Sequence, residues 1–198
     1  MRALRGKRLW PRRNAPVCLS DGQTANVESF MLKPWLWLSV LVVALDQATK
    51  FLAETLLLMH QPVAVLPGFN LMLTYNTGAA FSFLADAGGW QRWFFLGLGL
   101  AVSIGLIVWL ARLQAEERWL AAALALILGG AVGNLIDRSW LGQVIDFIQL
   151  YYDRWYWPAF NIADSAITVG AALLIFDSLR SRNSAAPPSA PTSDAGTQ

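Results

Sequence analysis

Four stretches of the chain, about residues 34–58, 91–113, 119–135 and 160–179, are almost continuously apolar. A helix rises about 1.5 Å per residue, so roughly 20 such residues cross a hydrocarbon core of about 30 Å. The pattern predicts four transmembrane helices. Two long connections, 59–90 and 136–159, fall on one side of that arrangement, and a short turn falls on the other. In the first connection Phe69, Leu71, Leu73 and Tyr75 alternate with Asn70, Met72 and Thr74 before Asn76 and Gly78. That period of two, closed by turn residues, predicts a strand and a turn. The expected fold class is an all-α membrane protein with four transmembrane helices and a small extracytoplasmic β-sheet element. The second connection ends in Tyr151, Tyr152, Trp155, Tyr156 and Trp157, a cluster suited to anchoring at the membrane interface.

The ends of the chain have a different character. Residues 1–30 are polar, are broken by Pro11 and Pro16, and carry Arg2, Arg5, Lys7, Arg8, Arg12 and Arg13 without apolar periodicity. They read as a disordered basic arm. Met31 stands just before the first span and would serve as an alternative start, which places the membrane domain at 31–180. Residues 181–198, rich in Ala, Pro and Ser, read as a flexible cytoplasmic tail. The first span is too long for a signal-peptide core, lacks a clean small-residue cleavage site, and contains Asp46 and Lys50. Lys33, Arg112, Arg118, Arg180 and Arg182 gather with the arm on one side of the threaded helices, so both termini are expected in the cytoplasm.

Composition sharpens the class. With 56% hydrophobic and only 14% charged residues, the chain departs from the balance of soluble domains. A net charge of +2, with no basic face, gives no reason to expect nucleic acid. Cys18 is the single cysteine and His60 the single histidine, so neither an intrachain disulfide nor a Cys/His zinc site can form. Catalytic chemistry would rest on carboxylates, hydroxyls or lysine.

Ionisable groups within apolar spans are costly unless paired or hydrated, and each therefore needs a reason to be there. Asp46 and Lys50 are four apart on one helix face and can pair, either as a buried ion pair that fixes packing or to orient a substrate. In the third span Gly129 and Gly133 allow close helix approach. Gly130, Asn134 and Arg138 follow one another at intervals of four, with Asp137 beside them, and make a polar ridge for support or substrate contact. Asp146 sits among Val144, Ile145, Phe147 and Ile148, where apolar surroundings favour its protonated form. Asp164 falls in the first turns of the fourth span, where the helix dipole favours its charge. Two such carboxylates sharing one proton would provide an acid and a base. Two other classes compete. A small ion-coupled transporter would spread its ionisable groups through the membrane or show repeats, and no internal repeat is found. A Ser/Lys hydrolase could use Lys50 with Ser82 or Ser139.

Taken together, Asp46-Gln47-Ala48-Thr49-Lys50, Asn76-Thr77-Gly78-Ala79-Ala80-Phe81-Ser82, the run from Gly129 to Arg138, Val144-Ile145-Asp146-Phe147 and Phe160-Asn161-Ile162-Ala163-Asp164-Ser165 resemble the bacterial lipoprotein signal peptidases (signal peptidase II). The motifs stand in the family's order over about residues 31–179. The resemblance implies a four-helix aspartic endopeptidase of the bacterial inner membrane that cuts prolipoproteins before the lipid-modified Cys. It implies catalytic Asp146 and Asp164 near the periplasmic face. Asp46, Lys50, Asn76, Asn134, Asp137, Arg138 and Asn161 would position substrate or support the site, as would Gly130 on its ridge. No metal or organic cofactor is implied. The expected partners are a diacylated prolipoprotein and membrane lipids, with the enzyme acting as a monomer.

Overall fold

The computed structural model describes residues 21–78 and 89–184. Four helices dominate: α1 (Asp21–Leu56), α2 (Trp90–Ala111), α3 (Arg118–Trp140) and α4 (Ile162–Ser184). Each contains a segment long and apolar enough to cross a membrane, beginning at Pro34 in α1 and ending at Arg180 in α4. The expected arm over 1–30 differs in its second part, because α1 starts at Asp21. No proline lies between Pro16 and Pro34 to interrupt a helix there. Residues 1–20, with Cys18, and 185–198 lie outside the described residues.

Helix α3 is the axis of the bundle and packs on α1, α2 and α4. Half of its apolar window is buried, against 11% for α2, whose surface is left to lipid. Small residues make this centrality possible. Ala121, Ala123 and Ala125 are buried, and a Cβ on Gly129 would lie 2.7 Å from Val42 Cβ of α1. A Cβ on Gly130 would run into the carbonyl oxygen of Ala163 on α4. The helix also extends beyond the expected limit near residue 135, so Asp137 and Arg138 ride on its last turn. Gly142, with φ of 77°, follows the end of the helix and returns its N–H to the Arg138 carbonyl at 3.2 Å.

The two long connections meet at one end of the bundle as an antiparallel sheet in the order β1 (Val63–Leu66), β2 (Phe69–Asn76), β3 (Val144–Tyr152), β4 (Trp155–Tyr156). The predicted strand at Phe69 is β2. Its period of two does not survive the sheet, because a register irregularity between Leu71 and Thr74 puts an extra residue in β2. Asn70 and Leu73 are consequently the buried positions, three apart rather than two. Strand β3 forms where only an interfacial aromatic loop was expected. Its first four residues are buried between helices and β2, so apolar side chains on both faces erase the alternation that marks a strand. The aromatic cluster is borne at its far end, with Tyr152 and Trp155 more than four-fifths exposed.

Gly130→Val should overpack the α3–α4 contact against backbone and cost about 1–3 kcal/mol. A lowered thermal unfolding midpoint in detergent would register this. An unchanged midpoint would contradict the close approach.

Candidate active site

The site starts with a buried ammonium. Lys50 and Asp46 are essentially inaccessible on α1, and Lys50 Nζ lies 2.7 Å from Asp46 Oδ2 and 2.6 Å from Asp137 Oδ2 of α3. It also donates to Asn134 Oδ1 at 3.0 Å, so each of its three protons has an acceptor. The carboxylates are held from behind. Asp46 Oδ1 accepts the Ala163 N–H at the start of α4 at 2.9 Å. Asp137 Oδ1 accepts from Gln47 Nε2 at 2.9 Å, and its Oδ2 accepts the Ile145 N–H of β3 at 3.3 Å. A pair expected within one helix is thus a junction of α1, α3, α4 and β3.

Lys50 can only donate, so it fixes which way the Asn134 amide points. Asn134 Oδ1 faces the ammonium and Nδ2 donates to Asp164 Oδ1 at 2.8 Å. Asp164 is fixed a second time by the start of its own helix. Asn161 precedes α4 as its cap, and its Oδ1 accepts the Asp164 N–H at 2.9 Å. In return the Asn161 N–H points to Asp164 Oδ2 at 3.4 Å, the reciprocal arrangement of a capping box. With Oδ1 engaged, Asn161 Nδ2 turns to Asp146 Oδ1 at 2.7 Å, with the Ile145 carbonyl at 3.1 Å and Asn134 Oδ1 at 3.2 Å.

Asp146 arrives from β3 and is 2% exposed. Besides Asn161 it accepts from Asn76 Nδ2 at 3.3 Å. Burial foremost, and then the negative charge of Asp164, push its carboxyl up to about 7 despite the amide bonds that favour ionisation. Arg138 touches neither carboxylate by hydrogen bond. Its Nη2 donates to the Gly78 carbonyl at 2.9 Å, and its guanidinium sits 5.1 Å from the Phe95 ring, so it secures the turn that carries Asn76. Asp146, Asp164, Asn76, Asn134 and Arg138 all line one cleft of about 1180 Å³ between the sheet and α4.

The expected site residues therefore converge, with a division of labour that spacing alone did not show. Asp146 and Asp164 face the cleft; Asp46, Lys50 and Asp137 lie behind it; Gly130 shapes the helix contact. The part of the second motif after Gly78, including Ser82, lies outside the described residues. Ser139 donates its hydroxyl to the Leu135 carbonyl of its own helix at 2.7 Å, and Lys50 has no free proton to exchange with it. Gln47 lies within the first motif, between Asp46 and Lys50. A neighbour one position along a helix ordinarily points away, yet its long side chain reaches both Asp137 and the Gly133 carbonyl.

Residues 38–180 match the family described as Signal peptidase (SPase) II. The chain belongs to that family. It is 56% identical over 161 residues to a lipoprotein signal peptidase of Pseudomonas aeruginosa (strain PAO1), covering 80% of this chain and 95% of that protein. A lipoprotein signal peptidase of Pseudomonas fluorescens (strain Pf0-1) is 60% identical over 150 residues, covering 75% and 88%. Among solved structures, a bacterial membrane enzyme determined by the in meso method at 2.3 Å superposes with a TM-score of 0.70 at 31% identity, over 79% of this chain and 93% of the other. As a signal peptidase II the chain is a membrane protease, and that membership sets the transporter reading aside.

Lys50→Met should leave Asp46 and Asp137 buried without their cation and destabilise the protein by about 3–5 kcal/mol. Chemical unfolding in detergent would measure the loss. Wild-type stability in this variant would show that the ammonium does not hold the junction.

Proposed function

We propose that this protein removes signal peptides from diacylglyceryl-modified prolipoproteins, cutting before the lipidated Cys with Asp146 and Asp164 as a dyad sharing one proton. What carries the reading is the convergence of these two carboxylates, from a strand and a helix start, on one cleft through the amides of Asn161 and Asn134. Asp146 holds the proton, in keeping with its raised proton affinity. Asp164, at the positive end of α4, takes a proton from water as the water oxygen attacks the scissile carbonyl carbon. Asp146 donates to the carbonyl oxygen as the tetrahedral intermediate forms. When the C–N bond breaks, the proton taken by Asp164 goes to the departing amine, and the intermediate's hydroxyl returns a proton to Asp146.

The cleft suits a substrate that stays in the membrane. It is bounded by the sheet on one side and continues along Ile167 and Val169 of α4, of which Val169 is half exposed on the bundle's outer surface. A signal peptide and acyl chains approaching through lipid would reach the carboxylates from there. Arg112 and Arg118 lie in the turn at the opposite end from the sheet, in keeping with cytoplasmic termini and a periplasmic site. Both carboxylates come from one chain, so a single copy suffices.

Asp146→Asn and Asp164→Asn should each lower cleavage of a diacylated prolipoprotein by at least about 10²–10⁴-fold while membrane insertion is retained. A gel-shift assay in lipid vesicles reads this, and normal processing by both variants would eliminate the dyad. The pH profile gives a separate check. A carboxyl that must be protonated and titrates near 7 loses its proton as pH rises, so turnover should decline above about pH 7. A rate still climbing through pH 8 to 9 would contradict that assignment.

A further inference from the structure

Strand β3 brings a second polar side chain to the cleft. In a regular strand Asp146 and Gln149 would point to opposite faces. Here the N–H groups of Phe147 and Ile148 both donate to the Phe160 carbonyl, at 3.1 and 2.8 Å, so two residues of β3 face one across the strand. That bulge absorbs one step of the alternation, and both Asp146 and Gln149 line the cleft. Gln149 is 9% exposed. Its Oε1 accepts from Nδ2 of its cross-strand neighbour Asn70 at 3.2 Å, and its Nε2 donates one proton to Met72 Sδ at 3.7 Å. A thioether is a weak acceptor, and a carboxamide nitrogen has two protons to place. Among the described residues no oxygen accepts either of them. A buried donor left this way costs stability unless something entering the cleft completes it.

Resting on the peptidase reading above, we infer that Gln149 is a second binding point for substrate, its amide N–H donating to a main-chain carbonyl of the mature chain just beyond the lipid-modified Cys. Three residues of strand span about 10 Å, so an extended peptide laid along β3 from the carboxylates presents a carbonyl near Gln149 roughly two or three residues from the scissile bond. The direction follows from what each half of the substrate must do. The signal peptide has to run into lipid, and the lipid side of the cleft is the α4 side, with Ile167 and Val169. The sheet side, with Gln149, is left for the residues that follow the cut. Recognition through the main chain is indifferent to side-chain identity at those positions.

The test uses the full-length enzyme with diacylated prolipoprotein peptides in which single amides after the modified Cys are replaced by esters, which weakens the carbonyl acceptor. With wild type, an ester at the second or third position should raise KM about three- to tenfold, the scale of one hydrogen bond, whereas an ester well downstream should not. Gln149→Met keeps a weak acceptor for Asn70 and removes both donors without adding charge beside Asp146; it should raise KM on the all-amide peptide by a similar factor, with kcat within about twofold. On the sensitive ester peptide this variant should show no further loss, because the same bond has been removed twice. Gln149→Leu should behave in the same way. Fully additive losses, a fall in kcat alone, or no ester position that matters would overturn the inference while leaving the peptidase reading intact. Failure of wild type to cut the all-amide peptide would remove both.

Discussion

A positive charge buried where lipid surrounds the protein can persist only if every one of its protons is met, and the bundle is organised around meeting those of Lys50. Two carboxylates and an amide oxygen, from α1 and α3, do so. Each of these groups then binds something further. Asp46 reaches the first turn of α4, Asp137 reaches the start of β3, and Asn134 reaches Asp164. The ammonium therefore fixes the two elements that carry the proposed dyad without touching either carboxylate by hydrogen bond. Helix α3 could not serve as the axis of this arrangement with ordinary side chains at Gly129, Gly130 and Gly133. A Cβ on Gly133 would lie 2.6 Å from Asp46 Oδ2, so the close approach of the helices and the ion cluster are one constraint.

The sheet contributes what helices cannot. A strand entering the cleft from the end of the bundle delivers Asp146 to the mouth of α4, and irregularities in β2 and β3 decide which side chains face inward. The extra residue in β2 aims Asn70 at Gln149, and the bulge in β3 aims Gln149 into the cleft beside Asp146. Bulges near a site re-aim side chains at the cost of a locally broken ladder. Here Phe160, just before the helix cap, supplies the carbonyl that the bulge needs, which couples the path of β3 to the start of α4.

How much of this was legible in the sequence depends on how local the signal is. The spans were legible because lipid rewards uninterrupted apolarity, and Asp46 with Lys50 because a spacing of four fixes a shared helical face. Strand β2 showed through its alternation, although the burial it implied was shifted by the bulge. Strand β3 was hidden, since a strand covered on both faces looks like any short apolar run. The Pro67-Gly68 turn ahead of β2, with Gly68 at φ of 86°, is a local signal for the β1 hairpin that alternation does not carry. Gln47, Gln149 and the anchoring of Arg138 on Gly78 rest on partners distant in sequence. No spacing rule reaches them.

The two carboxylates differ in a way that follows from the elements that carry them. Asp164 sits at a helix start, receives an amide whose direction is fixed by Lys50, and is bonded reciprocally to its own cap. Asp146 sits in a strand of buried apolar residues, and that burial outweighs the amide bonds from Asn161 and Asn76 that favour its charge. A charge on one raises the proton affinity of the other, so the two carboxylates of the proposed dyad favour holding one proton between them. Exchanging the roles would require charge to accumulate in the apolar strand and to leave the helix terminus built to hold it. In the reaction proposed above, the asymmetry between acid and base would follow from the strand and the helix start that carry the two carboxylates.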